Sequence, residues 1–130
     1  MASAVIDHPI QILVVEDCKS DVLLFKHLLG DVKAFCTITD VPRLIDAFKS
    51  LDSTVFDVIM LDLNLIDLDG VANIAALKAQ CPSTPVIVYS GSSDARLKKE
   101  AMMVGASGFL VKSETNAASL QETVALALAG

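Results

Sequence analysis

Short apolar runs alternate with longer amphipathic segments along this chain. The apolar runs cover residues 12–15, 34–39, 58–61, 86–89 and 109–111. Four of these five runs are continuously apolar, which is typical of strands buried on both faces of a parallel sheet. The second run contains Thr37 and Thr39, so we expect it to form an edge strand. The pattern therefore predicts five strands.

The amphipathic segments predict five helices, at residues 20–29, 42–51, 71–80, 94–104 and 116–128. The expected caps or first-turn residues are Ser20, Pro42, Ser93 or Asp94, and Asn116, and the expected closing residues are Gly30 and Gly105. In the fourth helix, Leu97, Ala101 and Val104 have helical spacing and predict its core face. Five alternating strand–helix units predict an α/β fold with a doubly wound sheet.

Length and composition indicate a single domain, because 130 residues suffice for a core and 53% of them are hydrophobic. A net charge of −6 argues against nucleic acid as a direct partner. No apolar run approaches the ~20 residues of a membrane span, and the first residues do not resemble a secretory signal. The three cysteines form no CxxC pair, which favours reduced thiols. We therefore expect a cytoplasmic protein with neither nucleic acid nor membrane as a partner.

Polar residues directly follow four of the predicted strands. Glu16 and Asp17 follow the first strand, Asp62 the third, Ser90 the fourth and Lys112 the fifth. Open α/β sheets bind ligands at the carboxyl ends of their strands. With a strand order of 2-1-3-4-5, the first and third strands are neighbours, and the three acids meet in the crevice between them. These five residues therefore predict one site.

Three carboxylates in one crevice repel one another, and proton uptake, a cation or both must offset this repulsion. Lys112 supplies one positive charge, and a hard divalent ion, Mg²⁺ or Mn²⁺, supplies more. Asn64 lies in the turn after Asp62, where its backbone carbonyl can complete the ion's oxygen ligands. A carboxylate, a metal, a hydroxyl and an ammonium together indicate phosphoryl transfer with Asp62 as nucleophile. Ser90 then donates a hydrogen bond to the phosphoryl group.

Four stretches carry a family resemblance, namely "ILVVEDCKSD", "VIMLDLNLIDLDG", "VIVYSG" and "GASGFLVKS". In order and separation they resemble the receiver domain of bacterial response regulators, over about residues 10–128. The resemblance implies a flavodoxin-like, three-layer α/β/α fold with a five-stranded parallel sheet and five helices. It divides the chain into an N-terminal extension at residues 1–9 and a receiver domain at residues 10–130.

The resemblance also assigns roles within the site. Asp62 resembles the phosphoacceptor, phosphorylated by a histidine kinase or a histidine phosphotransfer protein. Glu16 and Asp17 resemble the acidic pair that binds Mg²⁺ together with Asp62 and the Asn64 carbonyl. Lys112 resembles the lysine that pairs with the phosphoryl group. The family therefore implies a phosphoacceptor signalling module rather than a turnover enzyme.

Two further positions resemble the residues that switch the family between states. Ser90 resembles the hydroxyl drawn toward the phosphoryl group, and Phe109 occupies the position of the switch aromatic. Phosphorylation is then expected to shift the population between two packings of the fourth helix, fifth strand and fifth helix. We also hypothesise that Met102 and Met103 form an adaptable partner surface on the fourth helix.

The chain departs from the usual family pattern at two positions. Ile66 stands four residues after Asp62, where the family usually has proline. Ser113 stands after Lys112, where the family often has a proline in a cis peptide. A cis bond before a residue other than proline costs ~3 kcal/mol or more. The expectation is a trans Lys112–Ser113 bond with a shifted loop, or a strained cis bond.

Three alternatives remain open at this point. The receiver either is a stand-alone protein, as Met1 and a complete last helix favour, or has been excised from a larger regulator. A haloacid-dehalogenase-type aspartyl-phosphate phosphatase shares the Asp, Ser and Lys, but it resembles DxD at the nucleophile, where this chain has Asn64. A flavin-binding module of flavodoxin topology needs a phosphate loop after the first strand, where "VEDCKSD" is acidic.

Overall fold

A computed structural model describes residues 8–64 and 70–130 of the chain. Within these residues, five parallel strands form one sheet in the order β2-β1-β3-β4-β5. The strands are β1 (Ile10–Val15), β2 (Cys36–Val41), β3 (Val58–Leu61), β4 (Val86–Ser90) and β5 (Gly108–Val111). The predicted fold class and strand order are confirmed, and β2 is an edge strand as expected.

Five α-helices connect or follow these strands in the described residues. They are α1 (Lys19–Leu28), α2 (Leu44–Ser53), α3 (Ala72–Gln80), α4 (Ala95–Met103) and α5 (Ala117–Ala129). Two short 3-10 helices, Gly30–Phe35 and Lys112–Glu114, were not predicted. The first of them contains Ala34, so β2 begins two residues later than the apolar run suggested.

The caps of two helices follow the prediction and those of two others do not. Asp94 accepts a hydrogen bond from Arg96 N–H at the start of α4, and Asn116 caps α5. Ser20 was wrongly predicted as a cap, because α1 already begins at Lys19 and includes it. Pro42 was wrongly placed in the first turn of α2, which begins two residues later at Leu44.

The sheet separates two apolar layers. On one face, residues of β1, β3 and β4 pack against α2, α3 and α4, with Leu13, Ile59 and Leu77 fully buried. On the other face, residues of β1, β3, β4 and β5 pack against α1 and α5, with Phe25 and Leu120 fully buried. This alternation explains the continuously apolar strands, since each face of the sheet is covered by helices.

Helix α4 is less buried than its sequence pattern predicted. Of the expected core face, only Ala101 is fully buried, while Leu97 is half-buried. Val104 was wrongly placed in this face, because it follows the last residue of α4 and is 36% exposed. Met102 and Met103 are exposed, as the hypothesis of a partner surface requires.

The backbone between β5 and α5 positions Lys112. No peptide bond of the described residues is cis, so the Lys112–Ser113 bond is trans and lies in the 3-10 helix. Thr115 Oγ1 donates a hydrogen bond of 2.6 Å to Val111 O and closes this turn. The other departure, at Ile66, lies outside the described residues.

Candidate functional site

The predicted polar residues lie at the carboxyl ends of four strands of the sheet. In the sheet, Val15 pairs with Leu61, Leu61 with Val88, and Ser90 with Val111. Residues that end or follow these paired positions therefore reach the same edge of the sheet. They are Glu16 and Asp17 after β1, Asp62 after β3, Ser90 at the end of β4 and Lys112 after β5.

The structure brings the three predicted acids together. Glu16, Asp17 and Asp62 each offer a carboxylate oxygen, and these oxygens lie within 4.8 Å of one another. Glu16 is 5% exposed and Asp62 is 3% exposed, whereas Asp17 is exposed. The cluster therefore has two buried carboxylates and one that faces solvent.

Lys112 balances part of this negative charge. Its Nζ lies 2.6 Å from Glu16 Oε1, 2.8 Å from Asp21 Oδ2 and 3.3 Å from Asp62 Oδ2. The ammonium also lies 5.6 Å from the centre of the Tyr89 ring, within cation–π range. The lysine side chain is 16% exposed, so these ion pairs are screened by water less than surface pairs are.

Backbone hydrogen bonds hold the two buried carboxylates in place. Asn64 N–H donates to Asp62 Oδ1 at 2.9 Å, and Asp62 N–H donates to Val15 O at 3.0 Å. Cys18 N–H donates to Glu16 Oε2 at 3.2 Å. Asp62 is therefore fixed both to its own turn and to the neighbouring strand β1.

Ser90 and Asn64 border the same edge. Ser90 is fully buried, and its Oγ accepts a hydrogen bond of 3.0 Å from Ser92 N–H, which leaves the hydroxyl hydrogen for another acceptor. Asn64 is exposed, and its Nδ2 would lie 3.4 Å from a Cβ added at Gly91. The role of the Asn64 carbonyl as a metal ligand stays a prediction.

Phe109 lies on β5 beside β4, where it pairs with Val88. It is half-buried and packs against the layer that contains Ala101 of α4. Phe109 therefore packs on the same side of the sheet as α4. Its switch role stays a prediction.

Burial and charge shift two pKa values in this site. Burial, followed by the contact with Asp62, raises the pKa of Glu16 from 4.5 to about 7, although Lys112 and Cys18 N–H act against this shift. Burial lowers the pKa of Lys112, but contacts with Asp21, Glu16 and Asp62 outweigh it, so this pKa lies above its usual value. Lys112 therefore remains charged at neutral pH. Glu16, in contrast, binds and releases a proton at a pH close to neutral.

Sequence reasoning missed two residues of the site. Asp21 lies in the first turn of α1, where a negative charge interacts favourably with the helix dipole. This ordinary role explained the residue, so its contact with Lys112 was not foreseen. Tyr89 was treated as part of an apolar strand, but its ring lies next to the lysine ammonium. Its hydroxyl is buried and has no hydrogen-bond partner among the described residues.

Comparison with known proteins decides the family. The family model for the response regulator receiver domain matches residues 12–125 of the chain. The chain belongs to this family. Receiver domains are signalling modules of two-component systems rather than turnover enzymes, which argues against the phosphatase and flavin-binding alternatives.

Sequence relatives of this receiver domain are longer regulators. The transcriptional regulatory protein ZraR of Escherichia coli (strain K12) is 30% identical over 120 residues, which cover 92% of this chain and 26% of ZraR. The luminescence regulatory protein LuxO of Vibrio campbellii is 33% identical over 98 residues, which cover 75% of this chain and 21% of LuxO. The chain therefore spans about a quarter or less of these relatives.

Solved receiver domains have the same fold. The signal receiver domain of a LuxO repressor protein from Vibrio parahaemolyticus superposes with a TM-score of 0.81 at 30% identity. The match covers 94% of this receiver domain and 91% of that chain.

No helix in the described part of the chain is long and apolar enough to cross a membrane.

Proposed function

We propose that this receiver domain takes a phosphoryl group onto Asp62 from a histidine kinase or a histidine phosphotransfer protein. The observation that carries the proposal is the Lys112 ammonium 3.3 Å from Asp62 Oδ2, within a cluster of carboxylates at one sheet edge. An ion pair that only stabilised the fold would need one acid and one lysine. At this edge of the sheet, three acids lie together with the lysine. The donor is a partner protein, because the two histidines of the chain, His8 and His27, are both exposed and lie outside the site.

Asp62 is suited to act as the nucleophile. One of its oxygens forms the new O–P bond while the P–N bond to the donor imidazole breaks, and the imidazole keeps the electron pair. Its carboxylate accepts a hydrogen bond from Asn64 N–H, and its backbone N–H donates one to Val15 O, so Asp62 is fixed relative to the sheet before the donor arrives. Such positioning lowers the entropic part of the barrier.

Lys112 and Ser90 would hold the transferred group. The ammonium already contacts Asp62, so it neutralises charge on phosphoryl oxygens bound at that carboxylate. The Ser90 hydroxyl lies at the end of β4 and can donate its hydrogen to one of those oxygens. Both groups act by electrostatics and hydrogen bonding, without forming covalent bonds.

The acidic cluster fits a hard divalent cation, Mg²⁺ or Mn²⁺. All of its donors are oxygens, which these ions prefer, and Glu16 Oε1 is buried without a well-aligned hydrogen bond in the described residues. Glu16, Asp17 and Asp62 would hold the ion together with the Asn64 carbonyl. When bound, the ion supplies positive charge that offsets the charge of the phosphoryl group.

The output would follow from a population shift on one face of the domain. Phosphorylation adds negative charge beside Ser90, and movement of this hydroxyl would let Phe109 repack beneath α4. Met102 and Met103 are exposed at the end of α4, where their flexible side chains suit a protein partner. The face formed by α4, β5 and α5 would therefore change its affinity for a downstream protein.

The test is incubation of the purified chain with acetyl phosphate and Mg²⁺, followed by intact mass spectrometry. We expect one added phosphoryl group, with acetate as the leaving group, and no addition to Asp62→Asn. The matched control is Asp31→Asn, which removes one exposed carboxylate after the far end of α1 and should still be phosphorylated. Equal phosphorylation of Asp62→Asn and the wild type would refute the proposal.

A further inference from the structure

The ammonium of Lys112 has a third carboxylate partner outside the predicted metal cluster. Asp21 Oδ2 accepts a hydrogen bond of 2.8 Å from Lys112 Nζ, which is shorter than the 3.3 Å contact with Asp62. The two residues are 91 positions apart in the chain. This ion pair therefore links α1 to the turn after β5.

Three carboxylates surround the ammonium, and two of them, those of Asp21 and Asp62, accept a hydrogen bond from it. A lysine ammonium has three donors, and the Lys112 ammonium has three carboxylate neighbours, in Glu16, Asp21 and Asp62. A phosphoryl group on Asp62 would add negative charge and further acceptors next to this ammonium. The phosphoryl oxygens would therefore compete with the present carboxylate partners for the lysine.

Exposure indicates which partner is released most readily. The Asp21 side chain is 31% exposed, whereas the side chains of Glu16 and Asp62 are 3% and 4% exposed. A carboxylate that water can solvate loses an ion pair at lower cost than a buried one. Asp21 is therefore the partner that the phosphoryl group can replace.

We propose that Asp21 is a positioning residue that holds Lys112 in the unphosphorylated state and competes with the phosphoryl group for it. This inference rests on the proposed function of Asp62. Among the contacts of the described residues, Asp21 bonds to Lys112 rather than to Asp62, so it acts through the lysine. The centre of the Tyr89 ring lies 5.6 Å from the same Nζ, within cation–π range, and adds a further contact to the ammonium.

The charge of Asp21 should affect the two ligands of the site in opposite directions. A negative charge near the cluster attracts a divalent cation and repels a phosphoryl group. Asp21→Asn should therefore weaken Mg²⁺ binding and strengthen binding of a phosphoryl analogue at saturating Mg²⁺, each by about threefold to tenfold. A residue with only a structural role would move both affinities in the same direction.

The experiment measures both affinities by calorimetry, first with Mg²⁺ alone and then with beryllofluoride at saturating Mg²⁺. Asp21→Asn is compared with the wild type, with Asp21→Glu, which keeps the charge, and with Asp31→Asn, which removes an exposed charge elsewhere. We expect opposite shifts in Asp21→Asn alone and affinities near the wild-type values in the two other variants. Circular dichroism confirms that each variant is folded.

The outcomes separate this inference from the proposed function. If the wild type binds beryllofluoride and Asp21→Asn behaves like Asp31→Asn, the role of Asp21 is refuted while the phosphoacceptor role stands. Parallel shifts of both affinities, or an Asp21→Glu variant that matches Asp21→Asn, also refute it. If the wild type binds no beryllofluoride with Mg²⁺ present, the phosphoacceptor role fails and the inference fails with it.

Discussion

Glu16 is a buried carboxylate of the site with a raised pKa. Burial is the largest cause that raises its pKa to about 7, and the neighbouring Asp62 adds to the shift. Between pH 4.5 and about 7, the folded chain therefore binds a proton at Glu16 that the unfolded chain has released. The contribution of Glu16 to the free energy of unfolding is therefore fully present below pH 4.5 and is lost as the pH rises through about 7.

A pH dependence of metal binding follows at this residue. Only the ionised carboxylate binds a cation, so Mg²⁺ must displace the Glu16 proton. We predict that the apparent Mg²⁺ affinity increases between about pH 6 and about pH 8 and then levels off. Calorimetry in two buffers of different ionisation enthalpy measures both the affinity and the released proton.

The matched variant for this prediction is Glu16→Gln, which keeps the size of the side chain but cannot release a proton. It should bind Mg²⁺ more weakly at every pH and lose most of the dependence. A wild-type affinity that is constant over this pH range would contradict the assignment of Glu16 as a ligand with a raised pKa.

Single residues also mark the limit of what the sequence could predict about the site. Glu16, Asp62, Ser90 and Lys112 were found because parallel strands deliver their last residues to one edge. Asp21 follows no strand, and an acid in the first turn of a helix has an ordinary explanation. Its role depends on the reach of a lysine side chain, which sequence spacing does not reveal.

The start of α5 is a local element whose stability can be tested separately from the site. Asn116 Oδ1 accepts a hydrogen bond of 2.8 Å from Ser119 N–H, and Ser119 Oγ accepts one of 3.0 Å from Asn116 N–H. We predict that Asn116→Ala lowers the free energy of unfolding by about 1 kcal/mol, because the helix loses its cap. Urea denaturation monitored by circular dichroism measures the change.

This cap contacts neither the acids nor Lys112 among the contacts of the described residues. Asn116→Asp keeps an acceptor at the cap and should stay near wild-type stability. Both variants should take up phosphoryl from acetyl phosphate as the wild type does. Equal stability of Asn116→Ala and the wild type would mean that α5 is held by its packing alone.

The middle of each strand and helix could be predicted where a regular set of apolar residues is buried. The ends of these elements were predicted less accurately. The runs that became β3 and β4 were found nearly residue by residue, because helices cover both faces of these strands. The start of β2 was misplaced since Ala34 and Phe35 belong to a 3-10 helix that periodicity does not predict. The predicted core face of α4 was wrong at Val104, which lies beyond the end of the helix and is partly exposed.

At the scale of the whole molecule, strand order creates the site. Because β1 lies next to β3, Glu16 and Asp17 reach Asp62. Because β4 and β5 follow β3 in the sheet, Ser90 and Lys112 lie at the same edge, and the Lys112 side chain reaches back to the acids. A different order of the same strands would disperse these groups.

The central claim is that Asp62 captures the phosphoryl group, and chemical mapping of the modified residue tests it most directly. After incubation with acetyl phosphate and Mg²⁺, borohydride reduces an aspartyl phosphate to homoserine, which tandem mass spectrometry locates in a peptide digest. We predict homoserine at position 62 and no reduced side chain at Glu16, Asp17 or Asp21. A reduced residue at another position, or no reduced residue in a correctly folded sample, would contradict the account.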